Sequence, residues 1–381
     1  MTAILCSAIA AAPVATEPIA IKIDLGSLGG TQTVPAAMNA TGQVVGFSYT
    51  KGELQHAFSW TPLGGMIDVG TLGGTYSSAQ AVNDSGQVVG LASTEGDVGF
   101  HAFSWTHGGG MIDLGTLGGS LSYAQAVNTL GQVAGVAWTD GDTEEHGFIW
   151  TPSGDGMIDL GTLGGTQVFT SAMNENGDVV GYSSTTDNAA VHAFLWTQSG
   201  GMVDLGALDG NMSVPVAISN SGQVVGYWGF LGIGTPRAFS WTQAGGMIDL
   251  GTLGGLYAEA RAVNAVGQVV GFSSTTPDNA ISHVFLWTEG GGMVDLGTLG
   301  GTFGWAAAVN AHGQIVGYSF TRGDRETHAF SWTRKSGMID LGTIGGTTSQ
   351  AVTVDATGHV VLGFSTTKRD RQGRAVLWLL P

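Results

Sequence analysis

The sequence has a single cysteine and very few basic residues. Cys6 is the only cysteine among 381 residues, so an intramolecular disulfide is excluded. Lysine and arginine number 12 against 29 aspartates and glutamates, which gives a formal net charge of −17. Because a protein that holds nucleic acid needs basic groups to neutralise the phosphates, this balance argues against a nucleic-acid partner.

Long apolar runs are also scarce. The run AILCSAIAAAPVA near the start ends in small residues and is typical of the end of a signal peptide, with cleavage near Ala15. It lacks a basic start, so residues 1–20 are predicted to be a signal-peptide remnant or, alternatively, a disordered tail. No later run is long enough to span a membrane. The sequence therefore predicts export, to the medium or the cell surface.

Glycine, in contrast, is abundant and belongs to a repeat. The 65 glycines have no three-residue period, so they mark turns and not a collagen helix. The segment Met111–Gly119, MIDLGTLGG, recurs in eight copies at steps of 44 to 46 residues. The aspartates of these copies are Asp24, Asp68, Asp113, Asp159, Asp204, Asp249, Asp295 and Asp340. Spacing this regular indicates a repeat architecture.

Each repeat contains four short runs with strand composition. In the second repeat they are Ala79–Asn83, Gln87–Ala92, His101–Trp105 and Met111–Gly115. The runs are rich in β-branched, aromatic or small residues, and Asn83–Gly86 is a tight hairpin signal. Four-stranded antiparallel units repeated radially make a β-propeller. The sequence predicts one all-β domain over residues 21–381, an eight-bladed propeller with four-stranded blades.

The phase of the repeat predicts how the ring closes. The chain starts with an isolated fourth strand, Ile21–Gly26, and ends with a third strand, Ala375–Leu379. The N-terminal strand is therefore expected to complete the last blade, which closes the ring and covers a sheet edge. An open solenoid is the alternative, although neither end carries the polar capping repeat that a solenoid needs.

The repeat carries a family resemblance. HAFSWT, MIDLGTLGG and AVNxxGQVVG together resemble the extracellular HAF-repeat proteins of bacteria, over about residues 20–381. The resemblance implies a secreted or surface-associated repeat protein. It implies no activity, because the family is defined by its repeat and not by a chemistry.

Candidate ligand residues lie where the repeat varies. The second, fourth and sixth residues after each Gly-Gly or Asp-Gly fall early on the innermost strand, near the mouth of the central channel. Aromatic rings beside amides suit a sugar ring, since the rings stack on its C–H faces. The alternative is that they plug the channel. The candidates are Tyr76, Gln80, Tyr123, Gln125, Phe169, Phe303 and Trp305.

The sixth repeat holds the strongest candidate for chemistry. Tyr257, Glu259 and Arg261 alternate along one strand and therefore point to the same side. If the protein is an enzyme, Arg261 would bind a carboxylate and Glu259 or Tyr257 would act as acid or base. The alternative is a structural Glu–Arg pair.

The fifth repeat departs most from the pattern. It has Asp209 where the others have glycine, and the loop Tyr227–Pro236 is apolar where the other loops are polar. Trp228 and Phe230 are expected to extend a ligand groove or cover a pocket, as exposed apolar loops often mark contacts. The alternative is that the loop folds down onto the propeller.

The recurrent histidines, such as His56 and His101, are predicted to be structural and not metal ligands. Each begins a third strand and is expected to bond the aspartate of the MIDLG strand, because histidines in separate blades lie too far apart to share an ion. No cofactor is predicted. The acidic loop Asp140–Glu145 leaves calcium as an open hypothesis, although the full calcium-loop pattern is absent.

Three functions follow from these patterns. The first is a binding module, active as a monomer, for glycan or protein ligands. The second is a carbohydrate-active enzyme, a polysaccharide lyase or glycoside-cleaving enzyme, that uses Tyr257, Glu259 and Arg261. The third is a purely structural surface repeat.

Overall fold

The computed structural model describes residues 20–154 and 156–381, which form strands and four single-turn 3₁₀ segments. Of the predicted N-terminal tail only Ala20 lies inside this range. No helix in the described part of the chain has the length and apolar character needed to cross a bilayer. The 3₁₀ segments are Glu95–Asp97, Asp140–Asp142, Thr186–Asn188 and Lys368–Asp370.

The strands are short and follow one another through tight turns. In chain order they are β1 (Ile21–Asp24), β2 (Gly29–Met38), β3 (Val44–Thr50), β4 (Gln55–Thr61), β5 (Gly65–Gly70), β6 (Gly73–Val82), β7 (Val88–Thr94), β8 (Phe100–Thr106), β9 (Gly110–Asp113), β10 (Gly118–Val127), β11 (Val133–Thr139), β12 (Glu145–Trp150), β13 (Met157–Gly161), β14 (Gly164–Met173), β15 (Val179–Thr185), β16 (Val191–Thr197), β17 (Gly201–Asp204), β18 (Met212–Ile218), β19 (Val224–Gly229), β20 (Arg237–Thr242), β21 (Gly246–Asp249), β22 (Ala258–Val263), β23 (Val269–Ser274), β24 (Ser282–Thr288), β25 (Gly292–Gly297), β26 (Gly300–Val309), β27 (Ile315–Thr321), β28 (Thr327–Thr333), β29 (Gly337–Asp340), β30 (Gly345–Val354), β31 (Val360–Thr367) and β32 (Gly373–Leu379).

Consecutive strands pair antiparallel in groups of four, which we call units. Unit 1 is β2–β5, and each later unit takes the next four strands up to unit 7, β26–β29. Unit 8 combines β30, β31 and β32 with β1 from the start of the chain. Within a unit the first strand is the innermost, and the fourth is the outer edge.

The hairpin between the first two strands of a unit follows the predicted turn chemistry. In unit 2 Gly86 has φ +85°, which a residue with a side chain rarely adopts. Its backbone N–H donates to Asn83 O at 3.0 Å. Asn83 Oδ1 in turn accepts from the backbone N–H of Gln87 at 3.0 Å. The Asn–Gly turn prediction is confirmed.

The hydrophobic core lies between neighbouring units. One cluster joins Val45 and Ala57 of unit 1 to Phe103 and Trp105 of unit 2, and equivalent clusters follow along the chain. Polar contacts also cross between units: Asn83 Nδ2 donates to Asn128 O at 2.9 Å. Each unit thus buries both faces of its sheet against its neighbours.

The two ends of the chain meet in unit 8. β1 pairs antiparallel with β32, with Ile21 opposite Leu379 and Asp24 opposite Val376. The innermost strand of unit 1 runs beside the same strand β32, with Gln32 opposite Gly373. Radial four-stranded units packed face to face define a β-propeller, so the predicted all-β propeller fold is confirmed.

Candidate functional site

The candidate residues lie at the start of the innermost strands, and the sixth position has a special geometry. In each of the eight units the pairing of the first two strands skips the sixth residue after the paired Gly-Gly or Asp-Gly. In unit 6 the skipped residue is Arg261, since Ala260 pairs with Gly271 and Ala262 with Val270. Such a bulge bends the strand and re-aims the extra side chain. The sixth position is therefore set apart by the backbone as well as by the sequence.

Unit 6 brings the three predicted catalytic candidates together. The Tyr257 hydroxyl donates a hydrogen bond to Glu259 Oε1, and Arg261 Nη1 lies 3.5 Å from Glu259 Oε2. Glu259 is only 9% exposed, so its carboxylate depends on these two donors. Burial, together with the hydrogen bond to Glu259, raises the pKa of Tyr257. The phenol therefore keeps its proton at neutral pH and donates a hydrogen bond to Glu259.

Arg261 has a second partner in unit 7. Its guanidinium carbon lies 4.5 Å from the centroid of the Trp305 ring, within the range of a cation–π contact. The guanidinium is thus held between an aromatic face and the Glu259 carboxylate. A substrate carboxylate would have to compete with Glu259 for it.

An aromatic cluster joins units 6 and 7. Phe272, on the second strand of unit 6, has its ring centroid 5.4 Å from that of Tyr257 and 4.4 Å from that of Trp305. The Phe303 ring lies 5.7 Å from Phe272 and 5.5 Å from Phe320. These separations are typical of stacked and edge-to-face pairs. The structure therefore brings the predicted Tyr257, Phe303 and Trp305 into one cluster.

Phe272 and Phe320 were not among the residues predicted from the sequence. A signal for Phe272 was present, because the residue after the glycine of the second strand is aromatic in most repeats. That position is paired with the fourth residue after the Gly-Gly or Asp-Gly on the innermost strand. The two side chains therefore lie on the same face of the sheet. The residues at this position are Phe47, Leu91, Val136, Tyr182, Tyr227, Phe272, Tyr318 and Phe364.

The cluster lines a cavity of about 580 Å³. Half of the lining is aromatic, and among the described residues no charged side chain contributes to it. A concave site of this size and mixture suits a small ligand or one sugar ring of a larger one. The lining residues are Tyr257, Phe272, Phe303, Trp305 and Phe320, with Gly234, Asn279, Ala280, Ser282 and Thr302.

A cavity of similar size, about 510 Å³, lies elsewhere, beside Lys22, Asp340 and Pro381. Its floor contains Gln314 and Ser331, and the equivalent glutamine and serine line smaller grooves between units 1 and 2 and between units 5 and 6. Because the same glutamine and serine line the groove at several pairs of neighbouring units, this groove does not single out one pair of units. The cavity of units 6 and 7 differs from the smaller one at the equivalent place between units 3 and 4, whose only aromatic lining residue in the described part of the chain is Trp138.

Three further tyrosines lie on the two inner strands of units 3, 4 and 5. Burial raises the pKa of Tyr123, Tyr182 and Tyr227, and the charges of Glu145 on Tyr123 and Glu259 on Tyr227 raise it further. The predicted Phe169 stacks on Tyr182, with ring centroids 5.0 Å apart. These phenols stay protonated at neutral pH, and Tyr227 lies close enough to Glu259 and Arg261 to be affected by their charges.

The remaining predicted residues do not join the cluster. The Tyr76 ring contacts Phe100 of its own unit edge-on, at 5.7 Å. Gln80 and Asp209 are exposed, and Gln125 is half-buried in unit 3.

Trp228 departs from the expectation of an exposed groove residue. It is buried in the core cluster that contains Leu205 and Phe239. The reason is strand alternation, which directs Trp228 to the side opposite Tyr227. It therefore presents little surface to a ligand.

The predicted histidine–aspartate contact is confirmed. His56 Nδ1 lies 2.8 Å from Asp68 Oδ2, and five other units have the same pair at 2.8 to 2.9 Å. In unit 5 the position holds Arg237, 2.8 Å from Asp249. Among the described residues, no group of three or more His, Cys, Asp or Glu side chains converges as a metal site would require.

The acidic loop Asp140–Glu145 has a structural role through the hydrogen bonds of Asp142. Asp142 Oδ1 accepts a hydrogen bond from the backbone N–H of Ser120 at 2.7 Å, and its Oδ2 accepts one from the Ser120 hydroxyl at 2.9 Å. Asp97 holds Thr75 in the same way. Calcium binding at this loop stays an open hypothesis.

Comparison with known proteins shows the fold alone. No known family model and no curated protein matches the sequence. Among solved structures, the β-propeller domain of the trilobed protease from Pyrococcus furiosus is 8% identical, with 95% of this chain and 96% of that one covered and a TM-score of 0.48. Dipeptidyl peptidase 4 from Porphyromonas gingivalis is 10% identical, with 90% and 56% covered and a TM-score of 0.56.

A prolyl endopeptidase structure gives a similar result, with 12% identity, coverage of 92% of this chain and 55% of that one, and a TM-score of 0.54. The chain thus spans little more than half the length of the two peptidases. At such low identity the likeness carries no peptidase activity over. What it shows, together with the strand pairing, is that this chain is a β-propeller.

Proposed function

We propose that this chain is an exported or surface-associated propeller that binds glycans in the cavity between units 6 and 7. The observation that carries the proposal is the lining, in which five aromatic rings stand beside the neutral polar side chains of Asn279, Ser282 and Thr302. Aromatic faces stack on the C–H faces of a sugar ring, and hydroxyl and amide groups bond its hydroxyls. A protein ligand that inserts a side chain is the alternative occupant.

The proposal takes the eight units as the blades of one closed ring. The pairing of β1 with β32 supports closure, because it joins the two ends of the chain in one sheet. A closed ring fixes the spacing of neighbouring blades. A cavity between two of them then keeps its shape without a ligand, which lowers the entropic cost of binding.

The location outside the cell rests on the sequence. The apolar run before Ala15 and the resemblance to extracellular HAF-repeat proteins both favour it. A glycan on a cell surface or in the medium is the kind of ligand that such a protein meets. We take the binding unit to be a single chain.

The lyase hypothesis has one observation in its favour, the meeting of Tyr257, Glu259 and Arg261 in one place. Their contacts argue against Tyr257 as the base and against a free Arg261. A base must lose its proton near neutral pH, whereas burial raises the pKa of Tyr257. The guanidinium that would hold a uronate is already paired with Glu259.

Glycan-array screening of the purified chain, followed by calorimetric titration of the best ligand, tests the proposal. We expect Phe303→Ala and Trp305→Ala each to weaken binding about tenfold or more, since each removes a stacking surface. Tyr76→Ala is the matched control, because Tyr76 holds in unit 2 the repeat position that Phe303 holds in unit 7. It should bind like the unsubstituted chain.

An equal loss of glycan affinity in Phe303→Ala, Trp305→Ala and Tyr76→Ala would contradict a single site between units 6 and 7. The same samples are incubated with uronate polysaccharides and monitored for the ultraviolet absorbance of an unsaturated product. Product formation that Glu259→Gln abolishes would establish the lyase and displace the binding function.

A further inference from the structure

We infer that the ligand carries an apolar substituent, an acyl chain or a hydrophobic aglycone, beside the sugar ring. An apolar rim next to the cavity would hold this substituent. The inference rests on the proposed function and narrows its ligand class. The rim consists of Phe230, Leu231 and Ile233 of unit 5 and Leu256 of unit 6, which are between 44% and 56% exposed.

Leu256 occupies a position that is polar in every other repeat. In unit 2 the equivalent Thr75 is tied to the loop residue Asp97 through both its backbone N–H and its hydroxyl. In unit 6 the backbone bond remains, since Leu256 N–H donates to Asn279 Oδ1 at 2.9 Å. This backbone bond is thus kept while an apolar side chain replaces the hydroxyl, although the inner strand of unit 6 begins only at Ala258. The equivalent residues are Thr31, Thr75, Ser120, Thr166, Asn211, Thr302 and Thr347.

The apolar loop of unit 5 is held in place by its own contacts. Asn211 Oδ1 accepts from the Leu231 backbone N–H at 2.8 Å. A turn follows in which Ile233 N–H donates to Phe230 O at 3.0 Å. The loop therefore has a defined backbone, and it still leaves three large apolar side chains in water. Exposure of this kind marks a contact surface when the side chains adjoin one another.

The rim residues adjoin the cavity lining along the chain in two places. Ala258 N–H donates to Pro236 O at 3.0 Å, so the end of the loop lies against the innermost strand of unit 6. Gly234 and Tyr257 both line the cavity. Ile233 and Leu256 are the immediate chain neighbours of these two lining residues.

This continuity favours a substituent attached to the sugar over a membrane surface. The rim residues carry no basic group for anionic headgroups, and the chain has a net charge of −17. An apolar group attached to a sugar ring that stacks on Trp305 and Phe303 would extend from the cavity towards the rim. Each methylene that it buries there should tighten binding about fourfold.

Titration with matched alkyl glycosides tests the inference. The probes are methyl and octyl β-glycosides of glucose, galactose and N-acetylglucosamine, kept below their micelle concentrations. We expect the octyl compound of the accepted sugar to bind at least about tenfold more tightly than its methyl partner. Leu256→Thr, which restores the residue of most repeats, and Ile233→Asn should remove most of this gain and leave methyl-glycoside binding unchanged.

Two variants separate this inference from the proposed function. Val98→Thr changes an exposed apolar residue in the corresponding loop of unit 2. It should leave the higher affinity for the octyl glycoside over the methyl glycoside unchanged. Phe303→Ala should weaken both glycosides. Equal affinity of the methyl and octyl compounds, or an octyl gain that survives Leu256→Thr and Ile233→Asn, would overturn the inference while the sugar site stands. Binding of neither compound by the unsubstituted chain would overturn the sugar site and the inference with it.

Discussion

The histidine that starts the third strand is the clearest case of a single side chain whose role depends on protonation. In unit 7, His328 Nδ1 lies 2.8 Å from Asp340 Oδ2, and its Nε2 lies 3.0 Å from Glu326 Oε2. The hydrogen bond to Asp340 raises the pKa of His328, although burial opposes the shift. The charged imidazole is therefore favoured in the folded chain.

We predict that His328→Gln destabilises the protein in a pH-dependent way. A raised folded-state pKa means that the stability from His328 is complete below the unfolded pKa of about 6.5 and is lost as pH rises through the folded value. The free energy of unfolding, measured with urea from pH 5 to pH 9, should differ most between variant and parent at the acid end.

Arg237→Gln is the control for this experiment. Arg237 holds the same repeat position and bonds Asp249 through a guanidinium, a group that is always charged in proteins. Its destabilisation should be constant from pH 5 to pH 9. A constant difference for His328→Gln as well would contradict a protonated histidine in the folded chain.

Single residues also show which contacts the sequence could predict and which it could not. The histidine–aspartate pair was predictable because both members recur at fixed spacing. The burial of Trp228 was not recognised, although the aligned position is small in the other repeats, as Ser183 and Ser273 show. A lone tryptophan in an apolar loop fits both an exposed and a buried site, and only the alternation of the strand decides between them.

The pairing of the first two strands depends on a glycine in each second strand. A Cβ built on Gly317 would lie 1.9 Å from Trp305 O. No side-chain motion relieves that contact, because the obstacle is backbone. Only glycine therefore lets the second strand approach the bulged inner strand.

We predict that Gly317→Ala costs about 1–3 kcal/mol or more of folding stability, since it forces backbone shifts in a packed sheet. Chemical denaturation of the purified variant measures this cost. Gly108→Ala is the matched control, because a Cβ at Gly108 has no neighbour within 4 Å. It should change stability little. A Gly317→Ala variant as stable as Gly108→Ala would contradict the close approach of the two strands.

At the level of strands, composition predicted the elements better than their extent. The first strand of unit 2 was expected over Ala79–Asn83, and the structure has it over Gly73–Val82. Paired glycines read as a turn in sequence, yet Gly73 already faces Thr94 across the sheet. The bulge could not be predicted, because its residue varies between Arg261, Gln80 and Ala307 and no type marks it.

For the whole molecule, periodicity predicted the propeller but not the site. Repeat spacing fixes which strands pair, and the hydrophobic pattern fixes which faces pack. The cavity instead depends on residues from three units, Gly234, Tyr257 and Phe303, and on second-strand side chains such as Phe272. Contacts between units are set by the geometry of the assembled blades, which no single repeat contains.

Closure of the ring is testable by a covalent link between the chain ends. Ile21 and Leu379 are directly opposed on β1 and β32. The Cα atoms of such pairs are about 5 Å apart, within the span of a disulfide. We predict that Ile21→Cys with Leu379→Cys, in a Cys6→Ser background, forms a disulfide that raises thermal stability, by up to about 5 kcal/mol in the chain-entropy model.

The gain should disappear under reducing conditions, since the stabilisation comes from the link and not from the substitutions. Ile21→Cys alone in the same background supplies the control and should show no redox-dependent change in melting temperature. Thiol titration gives the decisive reading. Two thiols that stay free under oxidising conditions would mean that β1 leaves the edge of β32, and would contradict closure of the ring through this strand.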